Sequence, residues 1–166
     1  LAPGISNLLA KHALNRHLQS DWANIDILLG LGEKHGHAAF EWTFDNIHST
    51  YTLSNGYGEE RVRSFTQPKR GLSAPRRRYF LFNFSDQHSL AKQGPEKSIK
   101  SRMAFDTGLL TELLYLGRRL GLTRALRSKA LQHFLFKLFN RISLGTDVFS
   151  VEVSCGNEQE VHYAAS

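Results

Sequence analysis

The sequence predicts an α+β domain with a central, mostly antiparallel or mixed sheet and helices mainly on one face. Three observations lead there. Seven short stretches are aliphatic, aromatic or alternating and read as strands: Ile25–Leu31, Tyr51–Ser54, Arg61–Phe65, Tyr79–Phe84, Ile99–Phe105, Val148–Ser154 and Glu160–Ala164. Longer runs between them carry apolar residues at helical spacing. No complete unit of strand, glycine loop and helix builds a parallel nucleotide-binding sheet. The 166 residues, 41% hydrophobic and 22% charged, suffice for one domain with a real core. No composition shift marks an interior boundary, so 1–166 reads as a single domain.

Ser6 is placed to cap a first helix, after a turn at Pro3-Gly4. Leu9, Ala13, Leu14 and Leu18 give that helix an apolar face through about Gln19. Ile25–Leu31 is an aliphatic strand followed by Gly30, Gly32 and Gly36. Their spacing, Gly-x-Gly-x-x-x-Gly, is not that of a dinucleotide loop, and a plain strand-to-helix connection is expected. In His37–Ser49, Phe40, Trp42 and Phe44 alternate as in a strand, yet Phe40, Phe44 and Ile47 share a helix face. Length and two alanines favour the helix. Tyr51–Ser54 and Arg61–Phe65 then form strands around Asn55-Gly56, a dipeptide that tolerates positive φ.

Gln67–Arg78 is basic, with Lys69, Arg70, Arg76, Arg77 and Arg78, and contains Pro68 and Pro75. It lacks interleaved aromatics, so a solvated loop is the expectation, with a nucleic-acid-binding module through Lys69–Arg78 as the less favoured alternative. Tyr79–Leu90 begins as a strand apolar on both faces and turns polar at Ser85-Asp86-Gln87-His88. Polar side chains at a buried strand's end occupy the place where α/β proteins bind ligands. The alternative is a helix start capped by Ser85 or Asp86, with no chemistry. Asp106 or Thr107 caps Leu109–Leu120, in which Leu109, Leu113, Leu116 and Leu120 make a stripe, and Gly121 ends it. Thr123 starts a helix to about Ile142. Leu131, Phe134, Leu135, Leu138, Phe139 and Ile142 form its core stripe, with Phe136 left on the polar side.

No apolar run approaches the ~20 residues of a membrane span, so no membrane role is expected. The chain opens Leu1-Ala2-Pro3-Gly4, without a secretory pattern or an initiating Met, and is expected to be a piece of a longer or processed protein. A single cysteine, Cys155, permits no internal disulfide and points to a cytoplasmic setting. The net charge of +6 allows anionic partners without choosing one. Among eight histidines, His35-x-His37 and the pair His12 and His17 lack metal-ligand spacing, so no metal site is expected. No nucleophile elbow, phosphate loop or zincin motif occurs.

Several stretches, in order, resemble the saccharopine dehydrogenase-like reductases. They are Pro3-Gly4-Ile5-Ser6-Asn7-Leu8-Leu9-Ala10, then Gly36-His37-Ala38-Ala39-Phe40-Glu41-Trp42-Thr43, then Phe82-Asn83-Phe84-Ser85-Asp86-Gln87-His88-Ser89-Leu90. Arg102-Met103-Ala104-Phe105-Asp106 and Gly145-Thr146-Asp147-Val148-Phe149 leading into Val151-Glu152-Val153 complete the set. The resemblance implies a two-domain parent with an N-terminal NAD(P)-binding domain. This chain would be the second, substrate-binding and dimerisation domain, acting on an amino-acid-like small molecule. It implies NAD or NADP in the parent, a homodimer, and neither cofactor nor catalysis in this piece alone, since the Gly-x-Gly-x-x-Gly half is missing. Non-catalytic interaction on the same scaffold is the alternative.

On that reading Ser85, Asp86, Gln87, His88 and Arg102 line a cleft facing the nucleotide domain. Arg102 would clamp a substrate carboxylate with its planar fork, with Ser85 and Gln87 as further substrate contacts. His88 would move one proton near neutral pH, oriented by Asp86, while the cofactor carries the hydride.

Overall fold

The computed structural model describes residues 4–31, 37–55, 57–94, 96–142, 146–157 and 161–165. In chain order the elements are α1 (Ile5–Arg16), β1 (Trp22–Leu29), α2 (His37–Ile47), β2 (Thr50–Ser54), β3 (Glu59–Arg63), β4 (Lys69–Arg70) and β5 (Arg78–Leu81). There follow α3 (Ser85–Gln93), β6 (Ser98–Phe105), α4 (Gly108–Arg119), a 3₁₀ helix (Leu122–Arg127), α5 (Lys129–Ile142), β7 (Phe149–Gly156) and β8 (Val161–Ala165). The fold is α+β. Six strands form one mixed sheet in the order β4-β5-β6-β1-β7-β8, and β2 and β3 form a separate hairpin. Only β1 and β6 run parallel within the six-stranded sheet; its other neighbours are antiparallel.

Alternation in the three central strands creates two unlike faces. Ala23, Ile25 and Ile27 of β1, Ile99, Met103 and Phe105 of β6, and Val151, Val153 and Cys155 of β7 join one buried apolar cluster. Ala10 and Ala13 of α1, Phe44 and Ile47 of α2, Leu90 of α3 and Leu114 of α4 cover it. Leu135 and Phe139 of α5 pack at its margin, so every α-helix contributes to this one face. Each fully buried Ile or Phe here contributes about 1.5–3 kcal/mol. The opposite face carries polar side chains. Its lower part is covered by the β2–β3 hairpin, whose Tyr51, Leu53 and Val62 pack on Leu81.

Several local expectations are corrected. Ser6 does not cap α1. It lies inside the helix, fully buried, and donates its hydroxyl to Asp86. Leu18 falls beyond the end of α1 and is exposed. The helix expected from Thr123 to Ile142 is broken at Ser128, whose backbone is extended. Gln132 supports the break, donating its amide to the Leu126 carbonyl at 2.7 Å and to Asp45 at 2.6 Å. Phe136, expected on the polar side, packs edge-on against Phe40 at 5.4 Å, whereas Phe134 is exposed. The covered face of α5 runs through Gln132, Leu135, Phe136 and Phe139, about one position round from the expected stripe. Gly32, His35, Gly36, Gly56 and Glu160, used in the sequence reading, lie outside the described residues.

Candidate functional site

The polar stretch after β5 stands at a strand exit. Phe82 donates its amide to the Ser101 carbonyl at 3.0 Å, and the chain then leaves the sheet for α3. Ser85 is exposed at the helix start. Asp86 is fully buried and turned toward α1, where its Oδ2 accepts from Ser6 Oγ at 2.6 Å. Its Oδ1 has no partner, and burial raises the carboxyl's pKa against the lowering effect of the Ser6 bond. Gln87 is also fully buried. Its amide nitrogen donates to the Phe82 carbonyl at 3.0 Å and its oxygen accepts from the Ser101 amide at 2.9 Å. The side chain thereby extends the β5–β6 ladder one peptide beyond the strand's end.

His88 is half-buried. Its Nε2 sits 2.7 Å from Asn83 Oδ1, and its ring stands edge-on to Tyr51 at 6.2 Å. Burial first, then nearby Lys92, lower its pKa. Asn83, not Asp86, therefore orients this ring. The sequence reading missed Asn83 and Tyr51. Asn83, five residues before His88 across the helix start, was the available signal. The Tyr51 hydroxyl is buried without a regular hydrogen bond, lies near Gln87 and Arg102, and has its pKa raised by burial. The strand-end argument also needs correction. The ligand-binding crevice belongs to the carboxyl ends of parallel strands. β5 is antiparallel to β6, so it exits toward the amino end of β6, away from the carboxyl ends of the parallel pair.

Arg102 lies on the polar sheet face with Asp26 and Glu152. The registers place Asp26 opposite Arg102 on one side and opposite Glu152 on the other. All three are almost wholly buried. The Arg102 guanidinium donates to Asn24 Oδ1 and to the Gln67 carbonyl. Burial lowers its pKa against the attraction of Asp26 and Tyr51. Burial raises that of Asp26 despite Lys69, whose ammonium sits 2.7 Å from Asp26 Oδ2 and 3.1 Å from Ser154 Oγ.

The basic segment covers this row, contrary to the solvated loop expected. Glu152 accepts from the amides of Leu72 and Ser73 at 2.8 and 3.3 Å and from Ser73 Oγ at 2.5 Å. Arg77 donates to the carbonyls of Phe105 and Asp106 at 2.6 and 2.8 Å, and Arg78 forks onto Glu112. Phe65 and Gln67 adopt positive φ of 55° and 48° where the segment leaves β3. Phe65 is held there by stacking on Phe80 at 5.5 Å and by its amide on the Leu81 carbonyl.

The carboxyl ends of the parallel pair β1 and β6 are filled by the chain itself. Asp106 accepts from the amides of Leu31 and Thr107, at 3.3 and 2.7 Å, and from Thr146 through its amide and, at 2.9 Å, its hydroxyl. Partial burial alone would raise this carboxyl, but these donors hold it below the usual range. Two of the quoted stretches thus meet at Asp106 and Thr146. Gly30 allows the approach: a Cβ there would stand 2.1 Å from the Thr146 carbonyl oxygen.

A shallow cleft of about 480 Å³ adjoins this end, lined by Ala74, Pro75, Arg76, Arg77 and Gly108. Among the described residues no three His, Cys, Asp or Glu stand together as a metal site, and no helix is long and apolar enough to cross a membrane. Cys155 is a buried free thiol. No family model matches the chain, and no curated protein matches it.

Proposed function

We propose that the chain is the substrate-binding and dimerisation domain of an NAD(P)-dependent oxidoreductase of the saccharopine dehydrogenase-like kind. The observation that best supports an association domain is the α4 stripe. Leu109, Leu113, Leu116 and Leu120 follow one another at coiled-coil spacing and are 71, 56, 50 and 64% exposed. The flanking charges suit a second copy. In an antiparallel pairing about a twofold axis near the helix centre, Glu112 of one copy falls beside Arg119 of the other, twice over. Substrate would meet the domain at His88, where Asn83 fixes the ring and Tyr51 walls it. NAD or NADP would be held by the separate nucleotide domain.

Sedimentation of the chain over a wide concentration range tests the association. A reversible dimer is expected, lost in Leu113→Glu and Leu116→Glu. Arg119→Glu should weaken it. A monomer at every concentration, or dimers indifferent to these changes, rejects the reading.

Non-catalytic interaction on the same scaffold is the second reading. It is favoured by the burial of Asp86 against Ser6 and by the bonds that hold Gln87 and Arg102 within the fold, which leave His88 as the half-buried titratable group of the cluster. Titrating amino-acid-like carboxylates against the His88 imidazole signals separates the two. Saturable shifts support substrate binding; unmoved signals support interaction alone. A nucleic-acid role is disfavoured because Lys69, Arg77 and Arg78 are engaged within the fold.

A further inference from the structure

Three arginines from two elements gather at His48, and a fourth, Arg63, stands near one of them, Arg118. Arg118, in the last turn of α4, donates through Nε to the Ser64 carbonyl at 3.1 Å and lays Nη1 against the His48 ring nitrogens at 3.2 and 3.3 Å. Arg127 of the 3₁₀ helix donates to the His48 carbonyl at 3.3 Å. Thr123 of the same helix holds the ring through Nδ1 at 2.7 Å. Arg63, beside Ser64 at the end of β3, and Arg124, beside Thr123, complete the group.

Among the described residues no carboxylate pairs directly with these guanidiniums. Among the described residues the guanidiniums of Arg63 and Arg124 make neither a hydrogen bond nor an ion pair, and no acidic group acts on Arg118 or His48. Asp45 lies near Arg127 but is engaged by Lys129 at 2.9 Å and by Gln132 at 2.6 Å. The cost of gathering the charges is visible. His48 is pushed below its ordinary pKa by burial and then by Arg118, Arg127 and Arg124. Arg118 is pushed down by burial and then by Arg63, Arg124 and Arg127.

We propose that this cluster binds the phosphoryl group of a small molecule. Several guanidiniums around one spot call for a multiply charged anion, and their planar forks match phosphate oxygens two at a time. The site is compact. Lys69, Arg77 and Arg78 of the basic segment are tied into the fold, which disfavours the extended cationic track that a nucleic-acid strand would need. Thr123 and the neutral His48 add a hydroxyl and a ring edge beside the charges.

The test is titration of the whole chain with inorganic pyrophosphate, read by calorimetry and by the His48 imidazole signals. Saturable binding that weakens steeply with salt is expected, and the bound anion should raise the pH at which His48 titrates. Arg124→Gln and Arg127→Gln, both exposed, should each weaken binding about tenfold. Lys11→Gln, which removes the same charge on α1, should leave it unchanged. Absence of binding at low salt, equal loss in Lys11→Gln, or an unmoved His48 overturns the proposal. So does a single-stranded oligonucleotide that binds at this cluster when pyrophosphate does not.

Discussion

Replacing Gln87 by Leu isolates the strand-exit clamp from any role in binding. Leucine keeps the apolar part of the side chain and removes the amide. One buried backbone group then loses its partner: the Ser101 N–H, which donates to Gln87 at 2.9 Å, whereas the Phe82 carbonyl loses the Gln87 bond at 3.0 Å but keeps the Phe84 amide at 2.9 Å. Ser101 and Phe82 are both fully buried, so water cannot replace the amide without opening the structure. The orphaned N–H costs about 1–3 kcal/mol. That is a large share of the roughly 5–15 kcal/mol that holds a domain folded. Urea unfolding followed by circular dichroism should show a lower midpoint with an unchanged slope. Ser85→Ala, at an exposed position two residues earlier, should stay within about 0.5 kcal/mol. If Gln87→Leu also stays within about 0.5 kcal/mol, the clamp is not structural and the reasoning fails.

Two further outcomes follow from buried geometry. Gly30→Ala should destabilise by about 1–3 kcal/mol, because the new Cβ meets backbone atoms of Thr146 and Val148 at 2.1 and 2.7 Å. An unchanged melting temperature would show that the 146–148 segment yields freely. Asp86 has a folded pKa raised by burial, so its contribution is most favourable below the unfolded value of about 3.9 and is lost as pH rises through the folded one. Asp86→Asn should therefore gain on the wild type in unfolding midpoint from acid to neutral pH, and a growing deficit would contradict the assignment.

Much of the fold was legible because alternation and helical spacing are written in the chain. The α+β class and the helix-covered face follow from Ile25 and Ile27, Val151 and Val153, and Leu9, Ala13 and Leu14 of α1. The polar face was harder. Asp26, Arg102 and Glu152 are single charges in otherwise apolar strands, and only the pairing registers show that they meet. The basic segment looked solvated because its partners lie far along the chain. Lys69 meets Asp26, and Arg77 meets Phe105 and Asp106. In the candidate site, His88 and its neighbours were visible as a polar break after a buried strand. The direction each side chain takes was not, because one turn of helix sends Asp86 toward Ser6 and His88 toward Asn83. The α4 leucines show the same limit. Spacing reveals a stripe but not what covers it.

The order of strands has a consequence for how the chain must be made. β1 sits mid-sheet, yet its neighbours β6 and β7 are synthesised long after it. An aliphatic strand therefore waits unpaired while the intervening chain emerges, in the condition most prone to sticking to other chains. Asp26 stands in the middle of that strand, as Arg102 and Glu152 stand in those that follow. In the nascent chain each charge acts as a gatekeeper against premature association. When the strands align, Asp26 falls opposite both of the others, so correct pairing brings the three charges together on one face. A slip of one residue would carry Asp26 onto the helix-covered face, away from Lys69. The same charges that keep the strand soluble while it waits thereby select the register in which it stops waiting.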